Sequence, residues 1–296
     1  MTEARRPLAA WLALMRPHHW VKNVFVVLPI PFAIAAGSEF DVVRVVAGFF
    51  GFSLLASAVY ALNDTWDADK DRRHPTKRNR PVAAGALSVR TAVITGLGLI
   101  LAGVGLSYVA GATDRMRQIL VALAVGYLAI QVVYTTVGRS LAGVDVMLLS
   151  SGFVVRVGYG CALVQARPSG WLLLCTTAIA LFLALTKRRA DLVTGVDPEH
   201  RPSLAGYSTR GVDVVLTITA VVACIAYGLY CHASPVFRPG WQFASLPFVV
   251  VGFLNDLRLI RRVPGESPVE RLYRHPSHAI NLLLWGAVIA LSLERS

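Results

Sequence analysis

Charge is scarce in this sequence: Asp, Glu, Lys and Arg make up 16% of its 296 residues. A soluble domain averages about 25%. The deficit argues against an ordinary soluble globule, and 55% hydrophobic residues with a mean hydropathy of +0.57 point to a membrane chain. Cysteine is also scarce. Cys161, Cys175, Cys224 and Cys231 lie in or beside apolar segments, with no CxxC pair, so neither a disulfide framework nor a thiolate metal site is expected. No basic start followed by a short apolar run and a small-residue cleavage site is present, so no cleaved signal peptide is expected. The net charge of +12 does not indicate nucleic acid, because the basic residues gather at the ends of apolar blocks.

A membrane-spanning helix needs about 20 mainly apolar residues. Nine candidates meet that need: 21–37, 42–62, 90–109, 117–137, 143–165, 170–186, 211–231, 242–259 and 277–293. The first and sixth are short. The expected fold is all-α, a polytopic membrane bundle of about nine helices forming one membrane-embedded domain over 1–296. Segment 5–20, rich in Arg, His and Trp, reads as an interfacial helix. With the N-terminus placed inside, 22 Lys and Arg fall on inside segments or span ends and 6 outside, and Arg156 alone lies deep within a span. The positive-inside rule therefore predicts a cytoplasmic N-terminus, an outside C-terminus and hence an odd number of spans; the expected location is the inner (plasma) membrane. Two long inside loops, 63–89 and 187–210, follow spans two and six. That spacing is compatible with a diverged internal repeat.

The first loop opens with Asn63-Asp64-x-x-Asp67-x-x-x-Asp71. If helix two runs on past Asn63, the three aspartates share one helical face. Carboxylates gathered in this way repel unless a cation neutralises them. An all-oxygen ligand set favours Mg²⁺, which commonly bridges carboxylates to substrate phosphates. The spacing is not that of an EF-hand, which requires a sixth-position Gly and a twelfth-position Glu. A solvated charge run balanced by Lys70, Arg72 and Arg73 is the bland alternative, and Asp69 points off the shared face.

This motif after the second span resembles the first aspartate-rich motif of the UbiA-type intramembrane prenyltransferase superfamily. Three further stretches resemble its decaprenyl-phosphate phosphoribosyltransferase branch. They are Arg16-Pro-His-His-Trp20-Val-Lys22-Asn23, His74-Pro-Thr-Lys77-Arg-Asn-Arg80-Pro81-Val-Ala-Ala-Gly85, and Thr186-Lys187-Arg188-Arg-Ala-Asp191 with Arg201-Pro-Ser-Leu-x-x-Tyr207. The resemblance covers nearly the whole chain. It implies Mg²⁺-dependent transfer of 5-phosphoribose from phosphoribosyl diphosphate (PRPP) to a polyprenyl phosphate, at the cytoplasmic face, in cell-wall biogenesis. Aromatic prenyltransferases of the superfamily usually carry a second aspartate-rich motif after helix six. Here Lys187-Arg188 stand there with Asp191, and Asp197 and Glu199 follow without repeating the first motif.

The resulting site expectation places Mg²⁺ on Asp64, Asp67 and Asp71, with Asn63 beside it on metal or phosphate. Lys22, Asn23, Lys77, Arg80, Lys187 and Arg188 are expected to bind phosphates, since Lys and Arg both do so and Arg can bind bidentately. Arg156, a charge within a span, is a site candidate by default. Asp145 lies nearly three turns away on the same helix and is not its direct partner. Asp145 matches an Asp of the resembling family; Tyr134, Asp191 and Tyr207 complete the candidates. Asp191 could equally pair with Lys187 at i,i+4. His18, His19 and His74 lack metal-ligand spacing, and the basic run 258–274 reads as an inside anchor able to attract anionic lipid. Oligomeric state is not legible in the sequence. The rival readings are a UbiA-type enzyme joining a polyprenyl diphosphate to an aromatic acceptor, and a transporter of a phosphorylated solute.

Overall fold

The computed structural model describes residues 7–74, 77–196, 201–263 and 265–294. Arg5, Arg6, Asp197, Glu199 and Arg295, which entered the sequence reading, lie outside them. The described residues form thirteen α-helices and no strand, apart from an isolated Phe237–Leu293 bridge. In chain order the helices are α1 (Pro7–Met15), α2 (Val24–Val27), α3 (Ile30–Ala35), α4 (Val42–Trp66), α5 (Ala68–Arg73), α6 (Val89–Ala110) and α7 (Asp114–Thr136). Then follow α8 (Val144–Leu163), α9 (Gly170–Val193), α10 (Thr209–Ala233), α11 (Leu246–Arg262), α12 (Pro268–Arg274) and α13 (Pro276–Ser292).

Local chemistry sets where the long helices start. Asp41, Ser88, Thr113, Ser169 and Ser208 each accept a backbone N–H of the first turn of α4, α6, α7, α9 and α10. Such caps satisfy donors that have no partner within the helix. Six helices, α4 and α6 to α10, are long and apolar enough to cross a membrane, and α13 is a shorter apolar helix.

Three expectations change. The span predicted over 242–259 is α11, which at 17 residues is not among the helices long and apolar enough to cross a membrane. The span predicted over 21–37 is broken into a 3-10 segment (Pro17–Asn23), α2 and α3. Pro29 and Pro31 lack the N–H groups that a continuous helix would need here. The span predicted to end at 186 instead runs to Val193. Hydropathy marks where apolar residues end, and Lys187–Val193 contains no Gly or Pro to stop the helix. Lys187, Arg188 and Asp191 therefore stand on a helix rather than in a loop.

Packing brings the broken segment onto α8. A Cβ on Gly160 would lie 2.0 Å from the carbonyl oxygen of Val26, so only glycine allows this backbone approach. A buried cluster from α2, α4, α7 and α8, including Val26, Phe52, Leu55, Leu120, Tyr127 and Tyr159, fills the space between these helices. A second cluster joins α8 to α11 through Val146, Phe182, Leu185, Leu216 and Ile260. Polar side chains inside the bundle pair with one another: Trp20 Nε1 donates to Ser57 Oγ at 2.9 Å and Tyr159 OH to Ser107 Oγ at 2.8 Å. In lipid such groups have no water to turn to. The outer faces are apolar instead, as in α6, where Ile94, Leu97, Leu101 and Val109 are exposed. This inside-out pattern suits a hydrocarbon solvent.

Candidate active site

The C-terminal end of α4 forms one wall of a polar cavity of about 210 Å³. The helix closes on Asp67, whose N–H donates to the Asn63 carbonyl, and α5 begins at the next residue. This one-residue break keeps Asn63, Asp64, Asp67 and Asp71 facing the same cavity. Asp69 points away, is 87% exposed and pairs with Arg72. Asp64 Oδ1 accepts from Arg16 Nη2 at 2.6 Å. Arg80 Nη1 lies 2.7 Å from Asp71 Oδ2 and 3.4 Å from Asp64 Oδ1, so one guanidinium bridges both carboxylates. Asp67 Oδ2 accepts from Arg139 Nη1 at 2.8 Å, and Asn63 Oδ1 accepts from Thr135 Oγ1 at 3.0 Å.

The donor set fits a hard cation held partly by the protein. Asp64 is 1% exposed, yet its Oδ2 is buried without a hydrogen-bond partner. An orphaned buried carboxylate oxygen is costly, and a cation would satisfy it. Among the described residues no three His, Cys, Asp or Glu side chains close on one point. That arrangement differs from the three-carboxylate convergence expected from spacing, because Asp67 turns to Arg139. It suits Mg²⁺, which takes one or two carboxylates and completes its shell with water and substrate phosphate.

The deep wall carries a fixed cation. Arg156 donates to Asn23 Oδ1 at 2.9 Å, to the Gly152 carbonyl at 2.8 Å and to Tyr127 OH at 3.2 Å. Its guanidinium lies 4.9–5.5 Å from the ring centres of Phe52, Tyr127 and Phe153. Arg156 lines the cavity, whereas Asn23 stands behind it, 1% exposed and bonded to Ser53. The remaining lining cations include Lys22, Lys77, Lys187 and Arg201. Burial, aided by Arg80, lowers the Lys77 ammonium pKa below its usual range.

Four sequence candidates are placed outside the lining, in a brace behind it. Arg188 is fully buried and donates to Asp145 Oδ2 at 2.5 Å, to Asp191 Oδ2 at 3.0 Å and to Tyr134 OH at 3.2 Å. Asp145 also accepts from Ser203 Oγ at 2.9 Å and Tyr207 OH at 2.6 Å. Burial and the bond to Asp145 raise the Tyr207 pKa to about 12, so it remains a donor at neutral pH. Asp191 pairs with Arg188 and Arg201 rather than with Lys187. Adjacent residues on a helix point about 100° apart. Lys187 therefore faces the cavity while Arg188 is absorbed into the wall, a distinction that composition does not reveal. Tyr134 serves both, lining the cavity and accepting from Arg188.

Sequence reasoning missed Arg16, Tyr60, Lys70, Tyr127, Gln131, Thr135, Arg139 and Arg201 among the polar lining residues. One signal was available: Tyr127, Gln131 and Tyr134 recur at helical spacing within the otherwise apolar α7. Arg139 carried no comparable signal.

His19, half-buried beside the Tyr60 ring, has an unpartnered buried Nδ1. Burial, then Lys22, His18, Arg16 and Lys187, lower its pKa from 6.5 to about 3. Between those values the unfolded chain takes up a proton that the folded chain refuses, so stability falls as pH drops through that window. His19→Gln is expected to flatten the acid side of the melting-temperature profile between pH 6.5 and 4. An unchanged slope in detergent-solubilised variant would contradict this assignment.

The UbiA prenyltransferase family model matches residues 23–283. The chain belongs to this family. A decaprenyl-phosphate phosphoribosyltransferase of Corynebacterium glutamicum is 35% identical over 80% of this chain and 72% of its own length. One from Mycobacterium tuberculosis is 32% identical over 97% and 95%. A UbiA homolog from Archaeoglobus fulgidus, solved bound to DMAPP and Mg²⁺, superposes with a TM-score of 0.71 at 16% identity over 95% of this chain and 99% of that one. Family and fold thus agree on an all-α, multi-pass membrane enzyme of the transferase class.

Proposed function

We propose that this family member transfers 5-phosphoribose from PRPP to a polyprenyl phosphate, releasing diphosphate, at the cytoplasmic face of the plasma membrane. The observation that carries this reading is the cavity's charge: nine Lys and Arg side chains line it against three carboxylates. A prenyl diphosphate and a neutral aromatic acceptor would leave much of that surplus unmatched. A donor with a diphosphate and a 5-phosphate, meeting an acceptor that is itself a phosphate, matches it. The phosphoribosyltransferase relatives support the same choice, and the 22-to-6 charge asymmetry supports the sidedness.

Bound Mg²⁺ would supply charge neutralisation at the departing diphosphate. Asp64 and Asp71 hold that end of the cavity, with Asp67 and Asn63 beside them. Arg16 and Arg80, which contact Asp64 and Asp71, and Lys77 on the same cavity would offer donors to the diphosphate oxygens as the C1–O bond of ribose breaks. The anomeric carbon then gains oxocarbenium character, as in other glycosyl transfers. The acceptor phosphate is mostly ionised at pH 7, its second pKa being about 6. It therefore needs orientation more than a general base. Lys22 and Lys187, which line the cavity with Arg156 and have no ion-pair partner among the described residues, would hold it.

Membranes containing the protein, given ribose-labelled PRPP and polyprenyl phosphate, are expected to move label into the solvent-extractable lipid. Label that stays aqueous, with prenyl diphosphate consumed when an aromatic acceptor is added, would establish the rival reading. Solute flux into proteoliposomes without turnover would indicate a transporter.

A further inference from the structure

We propose that the outer face of α10, at its junction with α11, binds the phosphate headgroup of an anionic membrane phospholipid, separately from the catalytic cavity. A hollow of about 600 Å³ opens there, lined by Thr209, Arg210, Asp213, Thr217, Ile218 and Arg261. Arg210 and Arg261 are exposed and have no ion-pair partner among the described residues, while Asp213, the one carboxylate present, is engaged by Arg189. The headgroup would thus meet two free guanidinium groups. Thr209 and Arg210 also occupy the first turn of α10, where backbone N–H groups and the helix dipole favour an anion.

A lipid tail has a track as well. Val214, Ile218, Val221, Ile225 and Leu229 are all exposed and recur at spacings of four, three, four and four along α10. They form one apolar seam of about 22 Å from the hollow toward the far membrane edge, at 1.5 Å per residue. A cationic head with an apolar seam below it is the complement of a phospholipid.

The hollow lies behind the catalytic wall rather than in it. Arg189 reaches Asp213 on α10 and donates to the Ile260 carbonyl of α11 at 2.6 Å. Its neighbour Arg188 braces Asp145 and Tyr134 toward the cavity. A phosphate bridging Arg210 and Arg261 would clamp α10 to α11 over Arg189, firming the helix that presents Lys187. The occupant is therefore a bilayer phospholipid and not the reacting lipid, since the hollow shares no lining residue with the catalytic cavity.

The test uses the full chain in a neutral detergent. Added phosphatidylglycerol is expected to raise the melting temperature by several degrees, and phosphatidylcholine is not. Arg210→Gln/Arg261→Gln should lose that rise while keeping the basal melting temperature and turnover. Arg258→Gln/Arg262→Gln, a neighbouring exposed pair outside the hollow, should keep it. Equal loss in both variants would mean diffuse charge attraction and overturn the site. Displacement of phosphatidylglycerol by polyprenyl phosphate at equal concentration would overturn the choice of occupant. If Arg210→Gln/Arg261→Gln lowers the basal melting temperature, native mass spectrometry of retained lipid replaces the shift. Retention equal to wild type there refutes the proposal.

Discussion

Asp64→Asn is expected to lower metal-dependent turnover by about 10³-fold, on the scale of losing a charge-stabilising group in a dry site. The fold should survive. Arg80 retains Asp71, and Arg16 keeps an oxygen acceptor on the new amide. Asp69→Asn is the matched control, because that carboxylate is 87% exposed and among the described residues pairs with Arg72 alone. Turnover of both variants at saturating Mg²⁺, alongside their melting curves, checks the assignment. An active, folded Asp64→Asn protein would remove Asp64 from the reaction.

Asp145→Ala should give the largest loss of stability, of roughly 3–5 kcal/mol, the cost of breaking a buried ion pair from one side. Arg188 is fully buried and would lose its 2.5 Å partner, while Ser203 and Tyr207 would lose an acceptor. Arg188→Met should cost a similar amount by stranding Asp145. The double variant Asp145→Ala/Arg188→Met should cost clearly less than the two together, because contacting residues are not additive. Denaturant unfolding in detergent measures all three. Additive losses would mean that the brace is not one unit.

The sequence signals that worked were of two kinds. Apolar run length and the placement of Lys and Arg located the α4, α6 to α10 and α13 helices, because lipid demands long apolar segments with charges at their ends. Local motif chemistry pointed to Asp64 and its neighbours, because carboxylates gathered on one helical face repel unless something neutralises them. Failures came where tertiary pairing decides. Nothing in the order Lys187-Arg188 says that the first faces the cavity and the second vanishes into the wall. Asp145 and Arg188 are 43 residues apart and meet only once α8 and α9 pack. The break at Pro29 was missed because the apolar run outweighed the two prolines, Pro29 and Pro31, that interrupt the helix.

The group transferred distinguishes a phosphoribosyltransferase from an aromatic prenyltransferase. Purified protein with Mg²⁺, PRPP and decaprenyl phosphate should yield a lipid heavier by one phosphoribosyl group, with one diphosphate released for each lipid formed. Unchanged lipid and no diphosphate, from protein that prenylates an aromatic acceptor under the same conditions, would contradict it.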